Sequence, residues 1–403
     1  MRIFYICVRV PYPPERGDKI ATFNHIRHLA QNHELHVFCL AESREERNDA
    51  AGLREYARSV SVVPLRPTLG KLRSVKALLG GESLSVAMLD EKALHDALEA
   101  ACAALKPDVI LVYSSNMAQF AERFPALPRI MLFSELDSLK WGQYVQRAPI
   151  PMRWLYRLES ARLLEYERRI ARSFTHSTVC TEWEKRDFER LIPGVPVDIV
   201  GNGVDLTYFR SERRPKNSTS LIFTGVMDYL PNVDGILWFC DEILPRVRNA
   251  IPEASLVICG SRPTAAIRNL TKRPGITVTG HVPDVRDHMD KAELAVAPLR
   301  ITRGIQNKLL EALAMSLPCV ASTAVWRGTT IPEGEGVLVA DDPGAFAKHI
   351  VHLLRDHAYR EEMAHRARAV VEEKYSWAVQ MARLEAILDA VTARAPTVGH
   401  RRA

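Results

Sequence analysis

Short apolar runs alternate along this chain with longer segments whose apolar residues recur at helical spacing. The first run, Ile3–Val8, is continuous and leads into Arg9–Lys19 (RVPYPPERGDK), a proline-bearing loop. An unbroken run of this kind predicts a strand buried on both faces, as in a parallel sheet. Ile20, Phe23, Ile26 and Leu29 then predict a helix, and Leu35–Leu40 a second strand. The same alternation predicts strands at Val60–Val63, Val109–Tyr113, Ile130–Phe133, Ser177–Cys180 and Val197–Val200. Leu94, Leu98, Ala101 and Leu105 mark one intervening helix, and Pro151–Ser173 is a long arginine-rich one with Leu155, Leu158, Leu163, Tyr166 and Ile170 on one face. The pattern lapses at Ser211–Ser220 (SERRPKNSTS), which is polar and aperiodic. It then restarts, with strands at Leu221–Thr224, Leu256–Ile258, Ile276–Thr279, Leu294–Ala297, Pro318–Ala321 and Val337–Val339. Helices are expected over Asp234–Leu244, Ala345–Leu354, Tyr359–Lys374 and Ser376–Val391, and a disordered tail over Pro396–Ala403.

Two series of this kind predict an α/β protein of two doubly wound domains in tandem. The expected boundaries are a first domain over 1–200, a linker over 201–218 and a second domain over 219–375. A C-terminal helix over 376–395 is expected to pack back on the first domain. Ligands of such sheets bind beyond the carboxyl ends of the strands, so the site is expected in a cleft between the domains.

Composition changes this picture only by exclusion. The 403 residues are 47% hydrophobic and 25% charged, which is ordinary for a globular protein. A net charge of +6 and a pI near 8.9 suit an anionic substrate or membrane face but are far from a nucleic-acid signature. The seven cysteines form no CxxC pair, and Cys7, Cys39, Cys180, Cys259 and Cys319 fall in or at the end of expected strands. That pattern suits buried free thiols and a reducing, cytoplasmic setting. The histidines lack metal-ligand spacing, so no metal site is expected. Ile3–Val8 is too short for a signal-peptide core, and no apolar run reaches the length of about 18 residues that a membrane span needs. Membrane contact would be peripheral, and the helix Pro151–Ser173 offers two readings. It lies on an anionic membrane, or it is a solvated face stitched by Glu–Arg pairs.

The stretch with the most chemistry is Arg303–Val320 (RGIQNKLLEALAMSLPCV). Gly304 precedes a helix start, where free N–H groups and the dipole favour an anion. Lys308 and Glu311 lie one turn apart and face the same way. A cation beside a phosphate and a carboxylate beside a ribose would suit a nucleoside diphosphate. Dinucleotide, P-loop and GxSxG motifs are absent; the only GxG, Gly201-Asn202-Gly203, has Leu206 where a third glycine is required. Strand-end loops at Gly225, Arg262, Gly280-His281 and Arg303–Lys308 would instead neutralise a diphosphate electrostatically. In the first domain Glu135, Asp137 and Ser138 directly follow a strand, so they meet a substrate or cap the next helix.

Four segments carry a family resemblance. Asn202-Gly203-Val204-Asp205 with Phe209, Phe223–Tyr229 with Pro231-Asn232, Thr279–Val285, and Glu311–Ala314 with Pro318–Ala321 occur in order along the chain. Together they resemble a GT-B glycosyltransferase of the family-4 type. The loops Arg9–Lys19, Leu136–Trp141 and Gly304–Lys308 are similar to those of the sugar transferases tied to PEP-CTERM/exosortase exopolysaccharide systems. The resemblance implies transfer of a sugar, with retention, from a nucleotide-diphosphate sugar to a glycan or lipid-linked acceptor, without a metal or other cofactor.

By that resemblance the second domain holds the donor, through Gly225, Arg262, His281, Val282, Arg303, Gly304, Ile305, Gln306, Asn307, Lys308 and Glu311. Glu311 matches the ribose-binding glutamate and Lys308 faces the diphosphate. Asp137 and Lys308 are the expected catalytic residues, with Arg16, Gly17, Asp18, Lys19 and Glu135 on the acceptor side. One departure stands out: Arg303 occupies the place of a second glutamate that would touch the donor sugar. Two other readings remain open at this point, a nucleotide-sugar epimerase and a non-catalytic nucleotide-sugar-binding subunit. No nucleic-acid partner is expected.

Overall fold

The computed structural model describes residues 1–145, 148–211 and 218–393. The later part of the expected linker (212–217), the end of the expected last helix (394–395) and the tail Pro396–Ala403 lie outside them. The chain divides into two compact units, one built from Met1–Gly201 together with residues from Met381 onward, the other from Asn202–Gln380.

The first unit holds a seven-stranded sheet of β1 (Arg2–Arg9), β2 (Glu34–Ala41), β3 (Ser59–Pro64), β4 (Val109–Tyr113), β5 (Arg129–Ser134), β6 (His176–Val179) and β7 (Val197–Ile199). All pairs are parallel, in the order β3-β2-β1-β4-β5-β6-β7. Its central strands are buried along their length, and this is why they read as unbroken apolar runs. Its helices include α1 (Gly17–Leu29), α2 (Pro67–Gly80), α3 (Leu84–Leu89), α4 (Asp137–Val145) and α5 (Ile150–Ser173). Sequence periodicity assigns no element to α2 and α3. The apolar side chains Leu69, Leu72, Val75 and Leu79 of α2 point to solvent, and the helix packs inward through the small residues Gly70 and Ala77.

The second unit holds a six-stranded parallel sheet of β8 (Ser220–Thr224), β9 (Ser255–Cys259), β10 (Ile276–Gly280), β11 (Leu294–Ala297), β12 (Cys319–Ala321) and β13 (Val337–Val339), in the order β10-β9-β8-β11-β12-β13. Two helices matter for its sheet edge, α6 (Leu230–Trp238) and α7 (Asn307–Ala314). Helix α6 starts before the expected Asp234 because Pro231 sits in its first turn, where a missing N–H costs nothing. The last helix, α8 (Trp377–Ala393), belongs to the first unit from Met381 onward, and there Glu385 meets His33 at 2.8 Å.

In each sheet the strand order reverses once beside its founding strand, between β1 and β4 and between β8 and β11. Such switch points open a crevice at the carboxyl ends of the strands. The five strand cysteines are buried free thiols. Among the described residues no helix is long and apolar enough to cross a membrane.

Candidate functional site

At the switch point of the second sheet, β8 ends in Gly225 and the chain after β11 turns into α7. Helix α7 buries Leu309, Leu310, Ala312, Leu313 and Ala314, which leaves Lys308 and Glu311 half-buried on the opposite side. Lys308 Nζ donates to Asn232 Oδ1 at 2.6 Å and stands 4.1 Å from the centre of the Phe223 ring. The Asn232 amide is held from the other end by its donation to Val226 O at 2.8 Å. The ammonium therefore rests on an amide oxygen and a ring face. Burial pulls its pKa down to about 7, against the opposing pull of Glu311 and Cys319. Burial likewise raises Glu311 to about 7, against the nearby charge of Lys308. A cation this poorly solvated gains most from an arriving anion.

Gly225 makes this arrangement fit. Its φ is +149°, and a Cβ there would lie 2.8 Å from Asn232 Nδ2 and 3.0 Å from Lys308 Nζ. Gly225→Ala is therefore expected to lower stability by about 1–3 kcal/mol, read from the urea midpoint. Gly280→Ala, also at positive φ but with nothing within 4 Å of the added Cβ, is expected to cost only the backbone strain of about 1–2 kcal/mol.

The remaining donor-side residues frame this centre unequally. Gly304, at φ +64°, lets the chain turn into α7, and Ile305 is buried beneath it. Gln306 Nε2 donates to Arg303 O at 3.1 Å. Asn307 Oδ1 accepts from Asn202 Nδ2 at 2.9 Å, while its own Nδ2 is buried without a partner among the described residues. That orphaned donor at the start of α7 suits an anionic ligand. Arg262 pairs instead with Asp228 at 3.1 Å, and His281 is exposed on the loop after β10. Neither Arg262, His281 nor Val282 makes a described contact with Lys308. Asn232 and Phe223 were visible in the sequence only as members of a motif; their contact with Lys308 depends on β8 and α7 meeting in space.

The first unit gathers a second set. Asp137 opens α4, and its Oδ2 lies within 3.3–3.5 Å of Asn116 Nδ2, Ser115 Oγ and Ser114 Oγ in the turn after β4. Its bonds thus run across the sheet edge. Burial is the largest influence on it and raises its pKa to about 6, opposed by Lys140 and reinforced by Glu135. Beneath it Glu167 of α5, fully buried, accepts from Ser138 N at 3.3 Å, from Ser138 Oγ by a short bond, and from Ser115 Oγ at 3.4 Å. Burial raises Glu167 to about 8, so near neutral pH it is mostly protonated. A hydroxyl has one proton to give, so Ser115 donates to Asp137 or to Glu167 and not to both at once. Asn116 Oδ1 is buried without a partner among the described residues, an open acceptor beside the carboxylate.

Sequence reasoning missed Ser114, Ser115, Asn116 and Glu167. The first three were findable, since they directly follow β4 at the switch point. Glu167 was not, because only packing brings α5 under α4.

Glu135 is bound by Lys140 at 2.9 Å. Asp18 lies 2.9 Å from Arg9 and 3.8 Å from Arg16; burial pushes its pKa up, but the two guanidiniums prevail and hold it below the usual range. Lys19 pairs with Glu46 at 3.0 Å, and Gly17 begins α1. The Tyr113 hydroxyl, pushed up by burial, also feels the charges of Asp18 and Glu135, so these acceptor-side candidates share the edge on which Asp137 sits. Among the described residues no group of three or more side chains could hold a metal ion.

Comparison with known proteins adds the following. Residues 21–203 match the family described as "Glycosyl transferase 4-like domain", and residues 218–356 match "Glycosyl transferases group 1". An "Uncharacterized 44.6 kDa protein in cps region" of Klebsiella pneumoniae is 22% identical over 41% of this chain and 45% of its own length. The "Capsular polysaccharide biosynthesis glycosyltransferase CapM" of Staphylococcus aureus is 28% identical over 29% of this chain and 31% of its own. The chain thus matches less than half the length of either curated relative. Among solved structures, HepE from Anabaena in complex with UDP superposes with a TM-score of 0.70 over 97% of this chain and 100% of that one, at 12% identity. At that identity the likeness shows the fold alone, and the fold is GT-B.

Proposed function

With a 4-like half and a group 1 half, the chain belongs to the GT-B glycosyltransferases, and we propose that it moves a sugar from a nucleotide-diphosphate sugar to a glycan or lipid-linked acceptor of a surface polysaccharide. The observation that carries this reading is the Lys308 ammonium, held by Asn232 and poorly solvated, at the switch point of the second sheet. As the bond between the anomeric carbon and the diphosphate breaks, negative charge grows on the leaving oxygen. Lys308, with the open N–H groups of α7 and the free amide of Asn307, stabilises that charge where it develops. Glu311, one turn on, accepts from the ribose hydroxyls. Asp137 takes the proton of the incoming acceptor hydroxyl as its oxygen bonds to the anomeric carbon; the retention that the resemblance implies requires this attack to come on the face from which the diphosphate departs. A pKa near 6 suits a base working near neutral pH.

The relatives named for capsule loci support a polysaccharide role, and the UDP complex of HepE supports a uridine donor. The resemblance to the PEP-CTERM exopolysaccharide transferases adds a setting at the inner face of the cytoplasmic membrane. Radiolabelled nucleotide sugars incubated with the protein and a membrane fraction test the reading. Label in lipid or polymer is the expected result. An isomerised free sugar would indicate an epimerase, and donor bound but unchanged a binding subunit.

Arg303, where the resemblance leads one to look for a glutamate, is assigned to the diphosphate. Arg303→Glu is expected to weaken UDP about tenfold and UMP less, by calorimetry. Equal loss for both, or none, would leave Arg303 outside the site.

A further inference from the structure

Helix α2 has two apolar faces, and only one of them is packed. Gly70 and Ala77 are buried, and Gly70 lies so close to α3 that a Cβ would come 2.7 Å from Met88 O. Arg162 of α5 donates to Ala77 O and Leu78 O at the carboxyl end of α2, so the helix is tied down on its inner side. At about 100° per residue, Leu69, Leu72, Val75 and Leu79 fall on the opposite side. They are 43%, 63%, 58% and 86% exposed. Four large aliphatic side chains in one stripe are too many to count as scattered surface hydrophobes.

The charges carried by α2 itself are all basic, and the exposed Glu82 stands just beyond its end. From Leu65 to Gly81 the chain carries Arg66, Lys71, Arg73 and Lys76 and no acidic residue. Arg73 turns inward to Glu91 at 2.7 Å. Lys71 and Lys76 flank the stripe on either side, both exposed and unpaired among the described residues.

We propose that this outward face of α2 docks on an anionic lipid surface. The helix lies in the interface plane with Leu69, Leu72, Val75 and Leu79 among the acyl chains and Lys71 and Lys76 among the headgroups. Its 14 residues make a rod about 21 Å long. Charge decides between occupants. A second copy of the same face would bring lysine against lysine, whereas an anionic bilayer complements them. The contact differs from the one expected from sequence, which rested on the arginine-rich length of α5. There Glu159 and Glu167 are buried, and the glutamate–arginine pairs that the solvated-face reading expects occur, as between Glu165 and Arg168.

The test is co-sedimentation of the full chain with vesicles of phosphatidylcholine containing about 30 mol % phosphatidylglycerol. The wild type is expected to bind these, to bind pure phosphatidylcholine weakly, and to be released by about 0.5 M salt. K71E/K76E is expected to lower the partition coefficient at least about fivefold for each lysine, and L72D/L79D to reduce binding to background. L72S/L79S carries the same test should the aspartates disturb folding. K308A is expected to bind vesicles like the wild type, which separates docking from donor chemistry. Binding of L72D/L79D equal to wild type, or no wild-type binding to the anionic vesicles, would overturn the proposal. So would a concentration-dependent dimer that L72D/L79D abolishes in the absence of vesicle binding, since that assigns the face to a second copy.

Discussion

Lys308→Ala is expected to lower kcat/KM for the donor by about 10²–10³-fold while leaving the melting temperature unchanged or slightly raised. The two effects part company because the native site disfavours the charged lysine. Its folded pKa, near 7, lies well below that of the unfolded chain, so at every pH below the unfolded value the fold gives up stability to keep this side chain, and most of all below about pH 7. A residue that costs stability and is needed for turnover is there for chemistry. The same shift makes UDP affinity depend on pH. Bound diphosphate favours the charged form and raises the lysine pKa above its free value. Affinity is then flat below about pH 7 and falls above it, by up to about tenfold per pH unit, until the pKa of the bound state is passed. Glu311, ionising over the same range, opposes this decline, since bonds donated by the ribose hydroxyls favour its carboxylate form. Isothermal titration from pH 6 to 9, with wild type and variant, reads both points. In Lys308→Ala the decline should be shallower; an equal decline, or unimpaired transfer, would remove Lys308 from the site.

Asp137→Asn is expected to reduce kcat by about 10²–10⁴-fold with UDP binding unaltered. Asparagine fits the same space and caps a helix about as well as aspartate, so a structural role alone would survive this substitution. It cannot take a proton. In the wild type kcat/KM should rise with pH through about 6 as Asp137 ionises and fall through about 7 as Lys308 loses its proton. These are properties of the free enzyme. The acid limb should vanish in the residual activity of Asp137→Asn. Asp137→Ala, which also loses its bonds to the 114–116 turn, is expected to be as inactive and about 1 kcal/mol less stable. If the two variants lost stability equally and kept activity, Asp137 would be a cap.

Much of the architecture was readable beforehand because parallel strands buried on both faces must be apolar throughout. Ile3–Val8, Val109–Tyr113 and Leu294–Ala297 could hardly be anything else once helical spacing resumed between them. The order of strands within each sheet was not written in that pattern. It comes from right-handed crossovers that reverse once in each unit, and it is the reversal that makes the ends of β8 and β11 neighbours.

Local composition likewise exposed Gly304, Lys308 and Glu311, because a glycine before a helix start and charges one turn apart are features of adjacent residues. It could not expose the grip of Asn232 on Lys308, separated by 76 positions, nor the bond from Ser115 to Glu167, separated by 52. Charge at a site depends on burial, and burial depends on what the rest of the chain places around it. The sequence by itself thus determined the strands and most of the helices, though not α2 and α3, and which residues could carry charge at the strand ends. Tertiary structure alone decided which of those charges are stripped of water, since desolvation is a property of the packed surroundings and not of the residue. It also decided that the leucines of α2, indistinguishable in composition from core leucines, face outward.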